Sequence, residues 1–354
     1  MKPIFHVITT INRGGAENQL LILVSEQIRM GYEVSVIYLK GEPELRQELE
    51  ILGAEVIDSV SRVPAAKQPL EISKLISKKK PIVHAHLPRA ELVSLMIPSK
   101  FTLITSRHNA EPFFPGAPKW LSNFLASLVA FRARRIIAIS HSVSEYLVSR
   151  GEVRDISKIR VIHYGYQVKN QNRLEIIDRS HGHFSLGTIS RLADQKDLPT
   201  MFRALERYKD SFPDATLKLV GAGPLESNLR SLAKKLSLEK VISFEGRKSD
   251  VMEFLRTLDV FLLTSKYEGF GMVLLEAMDA GVPIIASRNS AIIEVLGENF
   301  PGLCETGNPD DFSEKMLRLQ EVHYRSEVLS LQEKRLALFN SSARVKKIIE
   351  TYNL

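Results

Sequence analysis

The chain has 354 residues, 44% hydrophobic and 25% charged, a composition that describes a folded globular protein and excludes a disordered one. That length exceeds one ordinary hydrophobic core and suits two domains of similar size. A net charge of +7 with a pI near 9.3 favours an anionic partner, whether nucleic acid, membrane surface or phosphorylated substrate, and does not choose among them.

Met1 and Lys2 lead straight into a strand-like run, Ile4–Thr9, with no small-residue cleavage site behind an apolar stretch, so no signal peptide is expected. No stretch reaches the roughly 18 uninterrupted apolar residues of a membrane span. The turn N-R-G-G-A-E follows at Asn12–Glu17. Its tandem glycines, Gly14 and Gly15, let backbone amides approach a phosphate or sugar, or simply make a tight strand-to-helix turn. It is not the dinucleotide pattern G-x-G-x-x-G, which argues against a nicotinamide-dependent dehydrogenase. A helical period follows over Glu17–Met30, with Leu20, Leu23, Val24 and Ile28 on one face and Gly31 as its stop.

Short runs rich in β-branched residues then recur at Glu33–Leu39, Glu55–Val60, Ile82–His86, Thr102–Ser106, Ile136–Ser140 and Ile159–Ile162. Alternation of such runs with helical segments predicts a parallel sheet wrapped by helices. His84 and His86 form an H-x-H on one strand and, with no third ligand in view, read as a buried strand pair. His108 stands at the end of the next strand. Lys119–Arg135 reads as an apolar helix with Trp120, Phe124, Phe131 and a basic end, suited either to its own sheet or to an anionic membrane surface. Lys78–Lys80 is a second basic cluster and reads as a solvated helix end.

The polar stretch Val168–His183 reads as a linker, after which alternation restarts. Strands are expected at Phe184–Ile189, Ala215–Val220, Val241–Phe244, Val260–Thr264, Val282–Ala286 and Gly302–Cys304. Helices are expected at Leu198–Tyr208, Leu225–Leu236, Val251–Leu258, Asp311–Glu321 and, with no strand after it, Ala343–Tyr352. Cys304 is the sole cysteine, which excludes an internal disulfide and a multi-cysteine zinc site and fits a reducing cytoplasm.

Four turns of this half carry chemistry. Gly187–Asp197, G-T-I-S-R-L-A-D-Q-K-D, sets Arg191 and Lys196 just past a strand, where two cations suit a departing pyrophosphate. Val220–Glu226 and Phe244–Arg247 place Gly221, Gly223 and Arg247 at two more strand ends, where a flat base can lie on backbone; each alone also reads as a plain turn. Ser265–Pro283, S-K-Y-E-G-F-G-M-V-L-L-E-A-M-D-A-G-V-P, puts Glu268 in a glycine-rich turn and Glu276 eight positions on, inside a helix. A helix tip near Gly271 favours an anion, so the segment suggests sugar at Glu268, phosphate at the tip and ribose at Glu276.

With its E-x7-E segment the chain resembles the retaining glycosyltransferases of family 4, and S-R-L-A-D-Q-K at 190–196, matching the R-L-x-x-x-K of the family's G-R-L-x-x-x-K pattern, and the glycine-rich N-terminal turn agree in the expected order. The resemblance implies a GT-B architecture: two doubly wound α/β domains facing across a cleft, at 1–167 and 184–339, joined by 168–183, with a terminal helix in 340–354 returning to the first domain. It implies that Arg191 and Lys196 bind the donor diphosphate, and that Glu268 and the backbone of Gly269, Phe270, Gly271, Met272 and Val273 hold sugar and phosphate. Glu276 takes the ribose; Gly221, Gly223 and Arg247 lie on the base side; Gly14 and Gly15 face the donor phosphate or the acceptor; His108 contacts the transferred sugar. Three departures stand out: Asp197 where the family has glycine, Asn109 where it has aspartate, and His163–Tyr164 where it has an Asn-Gly pair.

The expected reaction is retaining transfer from a nucleotide-diphosphate sugar, UDP-sugar ahead of GDP-sugar, to a hydroxyl on a glycan or lipid-linked acceptor. With no D-x-D in the sequence, metal independence is expected, and no other cofactor. The expected location is the cytoplasm, with the cytoplasmic face of the inner membrane as the site where a lipid-linked acceptor would be met. Two competitors are a nucleotide-sugar epimerase or hydrolase on the same fold, and a basic nucleic-acid-binding protein, for which no module signature is present.

Overall fold

The computed structural model describes residues 2–77, 80–114, 116–169, 184–248 and 250–353. The chain divides into two compact units, Met1–Gln167 with Phe339–Leu354, and Val168–Leu338. Most of the expected linker, at 170–183, lies outside the described residues, as do Lys78 and Lys79 of the second basic cluster.

Among the described residues the first unit holds seven parallel strands: β1 (Ile4–Ile8), β2 (Val34–Tyr38), β3 (Glu55–Ile57), β4 (Ile82–His86), β5 (Thr102–Arg107), β6 (Arg135–Ala138) and β7 (Ile159–Val161). Their order is β3-β2-β1-β4-β5-β6-β7. Every residue of β1, β2 and β4 is buried, as in a parallel sheet covered on both faces, and the polar residues among them are His6, Ser35, His84 and His86. The described residues of the second unit hold six: β8 (Ser185–Ile189), β9 (Thr216–Val220), β10 (Ile242–Gly246), β11 (Val260–Leu263), β12 (Ile284–Ser287) and β13 (Leu303–Cys304), in the order β10-β9-β8-β11-β12-β13. Its pairings are parallel throughout. Two doubly wound parallel α/β folds are thus present, as the alternation predicted.

In such sheets the strand order reverses beside the first strand, and ligands bind outside the carboxyl ends there. The reversal falls between β1 and β4 in the first unit and between β8 and β11 in the second. The loops after β8 and β11 are the ones that carry Arg191, Lys196 and Glu268.

The terminal helix Ser341–Tyr352 starts at Asn340, whose side chain accepts from Ala343 N at 3.0 Å. Val345, Ile348 and Tyr352 enter the same core cluster as Ile4, Leu23, Ile82 and Ile104, so this helix completes the first unit's interior. The helix after β5 covers Lys119–Arg132 and stops short of Arg135, because Ala133 is already extended and leads into β6.

Candidate functional site

At the second unit's reversal point the two neighbouring loops are stitched together. Lys196 Nζ lies 2.5 Å from Glu268 Oε1, and Ser265 Oγ donates to that same oxygen at 2.7 Å. Thr264 Oγ1 donates to Lys196 O at 2.9 Å, Lys266 N to Gln195 O at 2.8 Å, and Gln195 Nε2 to Tyr267 O at 2.9 Å. Lys196 and Glu268, expected to serve diphosphate and sugar separately, form one ion pair. Ser265, which orients that carboxylate, was not among the expected residues; its only signal in the sequence is its place three residues before Glu268. Arg191 is exposed and finds no acceptor for its side chain among the described residues, leaving its guanidinium open to an anion.

Asp197 explains one departure from the expected pattern. Its backbone is left-handed, with φ 43° and ψ 45°, a conformation glycine adopts without cost and aspartate tolerates better than most. Thr200 Oγ1 donates to Asp197 Oδ2 at 2.8 Å, a local bond that holds this turn. The loop therefore keeps a glycine-like backbone without glycine.

The helix Met272–Asp279 starts at Gly271, whose φ of 90° places it in the same left-handed region. Leu274 N donates to Gly271 O at 2.9 Å and closes its first turn, which starts three residues past Glu268 in the sequence. Phe270, expected at the donor, has its side chain buried at 2% exposure, so its contribution there is confined to backbone. Met272 and Val273 are half-buried. Glu276 is half-buried one turn into the helix; burial pushes its carboxyl up to about 7, with Lys169 opposing the shift.

Gly221 and Gly223 have a packing reason independent of any base. A Cβ on Gly221, where φ is 136°, would sit 1.9 Å from Ser190 O, and one on Gly223 would sit 2.3 Å from Leu192 O. These glycines let the loop after β9 press against the loop that carries Arg191. Arg247 is exposed beyond β10, the edge strand, two strands removed from β8.

In the first unit, Gly14 caps the helix Gly15–Arg29 in extended backbone, and the space a Cβ would fill is taken by Glu17 Oε2 at 2.5 Å. Gly15 opens onto empty space. Glu17 is itself held by Thr10 Oγ1 at 2.9 Å.

His108 belongs to a hydrogen-bonded file of side chains. Tyr164 OH donates to His108 Nδ1, His108 Nε2 faces His86 Nδ1 at 3.3 Å, and His86 Nε2 faces His6 Nδ1 at 3.0 Å. His6 Nε2 donates to Gln27 Oε1 at 2.8 Å. An amide oxygen can only accept, and that fixes every proton upstream: His6, His86 and His108 all carry hydrogen on Nε2. Gln27 Nε2 donates to Tyr352 OH at 3.0 Å, Tyr352 donates to His84 Nδ1 at 2.7 Å, and His84 Nε2 reaches Ser106 Oγ at 2.7 Å. Burial lowers His6 to about 4 and His108 to about 3, and takes His84 and His86 well below the ordinary range, so the file is neutral. Arg344, whose Nη1 donates to Gln19 Oε1 at 2.8 Å, adds to the depression of His108.

Two expectations change here. His84 and His86 are buried as expected, but a third histidine does join them: register pairs His6 with His84, and the ligand atoms of the three rings lie within 4.8 Å of one another. All six ring nitrogens of this trio already have hydrogen-bond partners, so the cluster is a closed polar network. His108 likewise has both nitrogens engaged inside its own unit, so a contact from its ring to a sugar requires one of them to change partner. Tyr164, with no reading from sequence, donates to the Nδ1 that this proton order leaves as the acceptor of His108. Asn109 turns aside to donate to Glu111 Oε2 at 2.8 Å. Beside it, Arg107 is buried between Glu91 and Glu152 and under the Phe113 ring, a structural anchor for the loop after β5.

Two family models match the chain, Glycosyltransferase Family 4 over residues 13–169 and Glycosyl transferases group 1 over residues 174–330. The chain is 40% identical over 114 residues to N-acetyl-alpha-D-glucosaminyl L-malate synthase of Bacillus anthracis, an alignment covering 31% of this chain and 30% of that protein. It thus spans less than a third of that relative. It is 25% identical over 322 residues to an Escherichia coli UDP-Gal:alpha-D-GlcNAc-diphosphoundecaprenol alpha-1,3-galactosyltransferase, covering 83% of this chain and 81% of that one. Among solved structures, Anabaena HepE in complex with UDP-glucose superposes with a TM-score of 0.82 at 19% identity over 100% of both chains, a likeness of fold.

Proposed function

Since the chain belongs to glycosyltransferase family 4, we propose that it transfers a sugar from a nucleotide diphosphate, UDP ahead of GDP, to a hydroxyl of a lipid-linked or cell-surface glycan, with retention and without a metal ion. The observation that carries the reading is the Lys196–Glu268 pair at the second unit's reversal point, flanked by the unengaged cation Arg191 and the tip of the Met272–Asp279 helix.

In this reading Arg191, Lys196 and the helix tip share the diphosphate charge, which grows as the bond from the anomeric carbon to the phosphate oxygen breaks. Glu268 accepts from sugar hydroxyls with the oxygen that Lys196 does not occupy, and Glu276 accepts from the ribose. Neither carboxylate is placed as a nucleophile. The acceptor oxygen bonds to the anomeric carbon on the face the diphosphate leaves, and its proton passes to the departing phosphate. Such a step depends on charge stabilisation and on exclusion of water more than on a protein base.

The test is transfer from a panel of nucleotide sugars to a polyprenyl-diphosphate glycan, with product stereochemistry read by NMR. Retained anomeric configuration and activity that survives EDTA are expected; inversion, or a loss that magnesium or manganese restores, overturns the respective part. Lys196→Ala is expected to lower turnover by roughly 10²–10³, as for loss of a preorganised charge stabiliser; unchanged turnover in a folded variant removes Lys196 from the step. Release of free sugar at the same rate with and without acceptor identifies a hydrolase instead.

A further inference from the structure

The helix Lys119–Arg132 has two unlike faces. Ser122, Ala126, Val129 and Ala130 are buried against the first unit, and polar bonds fasten that side: Asn123 Nδ2 donates to Arg150 O at 2.9 Å and Ser127 Oγ to Gly151 O at 3.2 Å. Lys158 Nζ caps the far end, donating to Ala130 O at 3.0 Å and Phe131 O at 2.7 Å. The opposite face carries Trp120, Phe124, Leu128 and Phe131, exposed by 71%, 55%, 39% and 84%. Steps of four, four and three residues align them in one stripe along a helix. Four large apolar side chains so exposed on one rigid element exceed the scattered apolar residues of an ordinary surface.

The stripe is bordered by cations. The helix contains no acidic residue, Lys119 opens it, and Arg132, Arg134, Arg135 and Lys158 surround its end. Asp155, near Lys158 and Arg135, is the acid that faces this group. Lys158 Nζ also stands 5.7 Å from the Phe131 ring centre. A second copy of the chain is a poor occupant, because a twofold contact places each basic border against its own like. Among the described residues no helix is long and apolar enough to cross a membrane, so this one can lie along a surface and not span it. Aromatic rings at acyl depth with lysine and arginine at the phosphates is the arrangement of an interfacial helix.

We propose that the first unit docks on an anionic lipid bilayer through Trp120, Phe124, Leu128 and Phe131, with Lys119, Arg132, Arg134, Arg135 and Lys158 against the lipid phosphates. Docking there holds the enzyme at the surface where a lipid-linked acceptor resides; it builds on the proposed reaction but is measured apart from it.

Trp120 is the sole tryptophan, so its fluorescence reports the face directly. The full chain is mixed with phosphatidylcholine vesicles with and without phosphatidylglycerol, and both flotation and emission are read. Co-flotation and a blue shift confined to the anionic vesicles, weakened by high salt, are expected. Phe124→Glu with Phe131→Glu, both on the exposed face, is expected to bind at least about tenfold more weakly, since each lost ring contributes several-fold or more. The variant keeps its thermal stabilisation by UDP, so a failure of docking is distinct from a failure of the transferase reading. No flotation of the unaltered chain, equal binding to neutral vesicles, or equal binding by the variant overturns the proposal. So does a dimer that the variant abolishes.

Discussion

Asp197 shows how a single residue keeps a loop that another residue type would build more easily. The left-handed turn before Leu198 aims Lys196 at Glu268, and the bond from Thr200 offsets part of the strain that glycine would avoid. Glu276 illustrates the opposite case, a residue whose identity is plain and whose state is not. Burial raises its carboxyl from 4.5 to about 7, so the folded protein disfavours the ionised form. Stability from this group is full below about 4.5 and is lost as pH rises through about 7. If the carboxylate is the ribose acceptor, donor affinity moves the other way and falls as pH drops below 7. Glu276→Gln is expected to flatten both trends: calorimetry between pH 5 and 8 shows a weaker affinity with little pH dependence, and the donor-free variant gains thermal stability at pH 8. A steep pH dependence persisting in the variant assigns the titration elsewhere. The motif made Glu276 visible, but its shifted protonation depends on burial that no spacing encodes.

At the scale of elements, the strand runs were legible because both sheets are covered on both faces and their strands are short, β-branched and bounded by turns. The helix Val322–Leu336 was not. Its buried face includes Gln332, whose amide accepts from Ile284 N at 2.9 Å and donates to Val282 O at 2.9 Å, so a polar residue stands where periodicity looks for an apolar one. Gly221 and Gly223 were legible as glycines that permit close approach, yet what approaches is the chain's own loop. The terminal helix depends on a similar contact. A Cβ on Gly165 would fall 2.6 Å from Ser341 Cα, which is backbone and cannot step aside. Gly165→Ala is accordingly expected to destabilise the first unit by about 1–3 kcal/mol, as overpacking does. Urea unfolding monitored by circular dichroism measures it; a change below about 0.5 kcal/mol shows that the helix shifts freely.

For the molecule as a whole, an excess of positive charge limited the partners to anions but could not rank them; the motifs did that. The histidine file was beyond reach of the sequence because its members lie on three strands, two loops and two helices, from His6 to Tyr352, and meet only in the folded first unit. It has a thermodynamic signature of its own. Histidines held far below 6.5 bind protons when unfolded and not when folded, so stability is lost as pH falls from about 6.5 towards about 4 and below. Each contributes up to about 1.4 kcal/mol per pH unit in that window. Acid unfolding is therefore expected to take up more than one proton in excess of the carboxylates, and His86→Asn to lessen that uptake. A pH-independent midpoint between 4 and 6.5 would contradict the neutral file.

The return of Phe339–Leu354 to the first unit has a consequence for biosynthesis. Val345, Ile348 and Tyr352 leave the ribosome after all of the second unit, so the portion begun first is the one finished last. Until those residues emerge, Gln27 and His84 lack their shared phenol and the sheet around Ile4 and Ile82 lacks a wall. The nascent chain thus holds an open half-core for as long as translation of some 170 further residues takes, which makes that interval the natural point for chaperone capture.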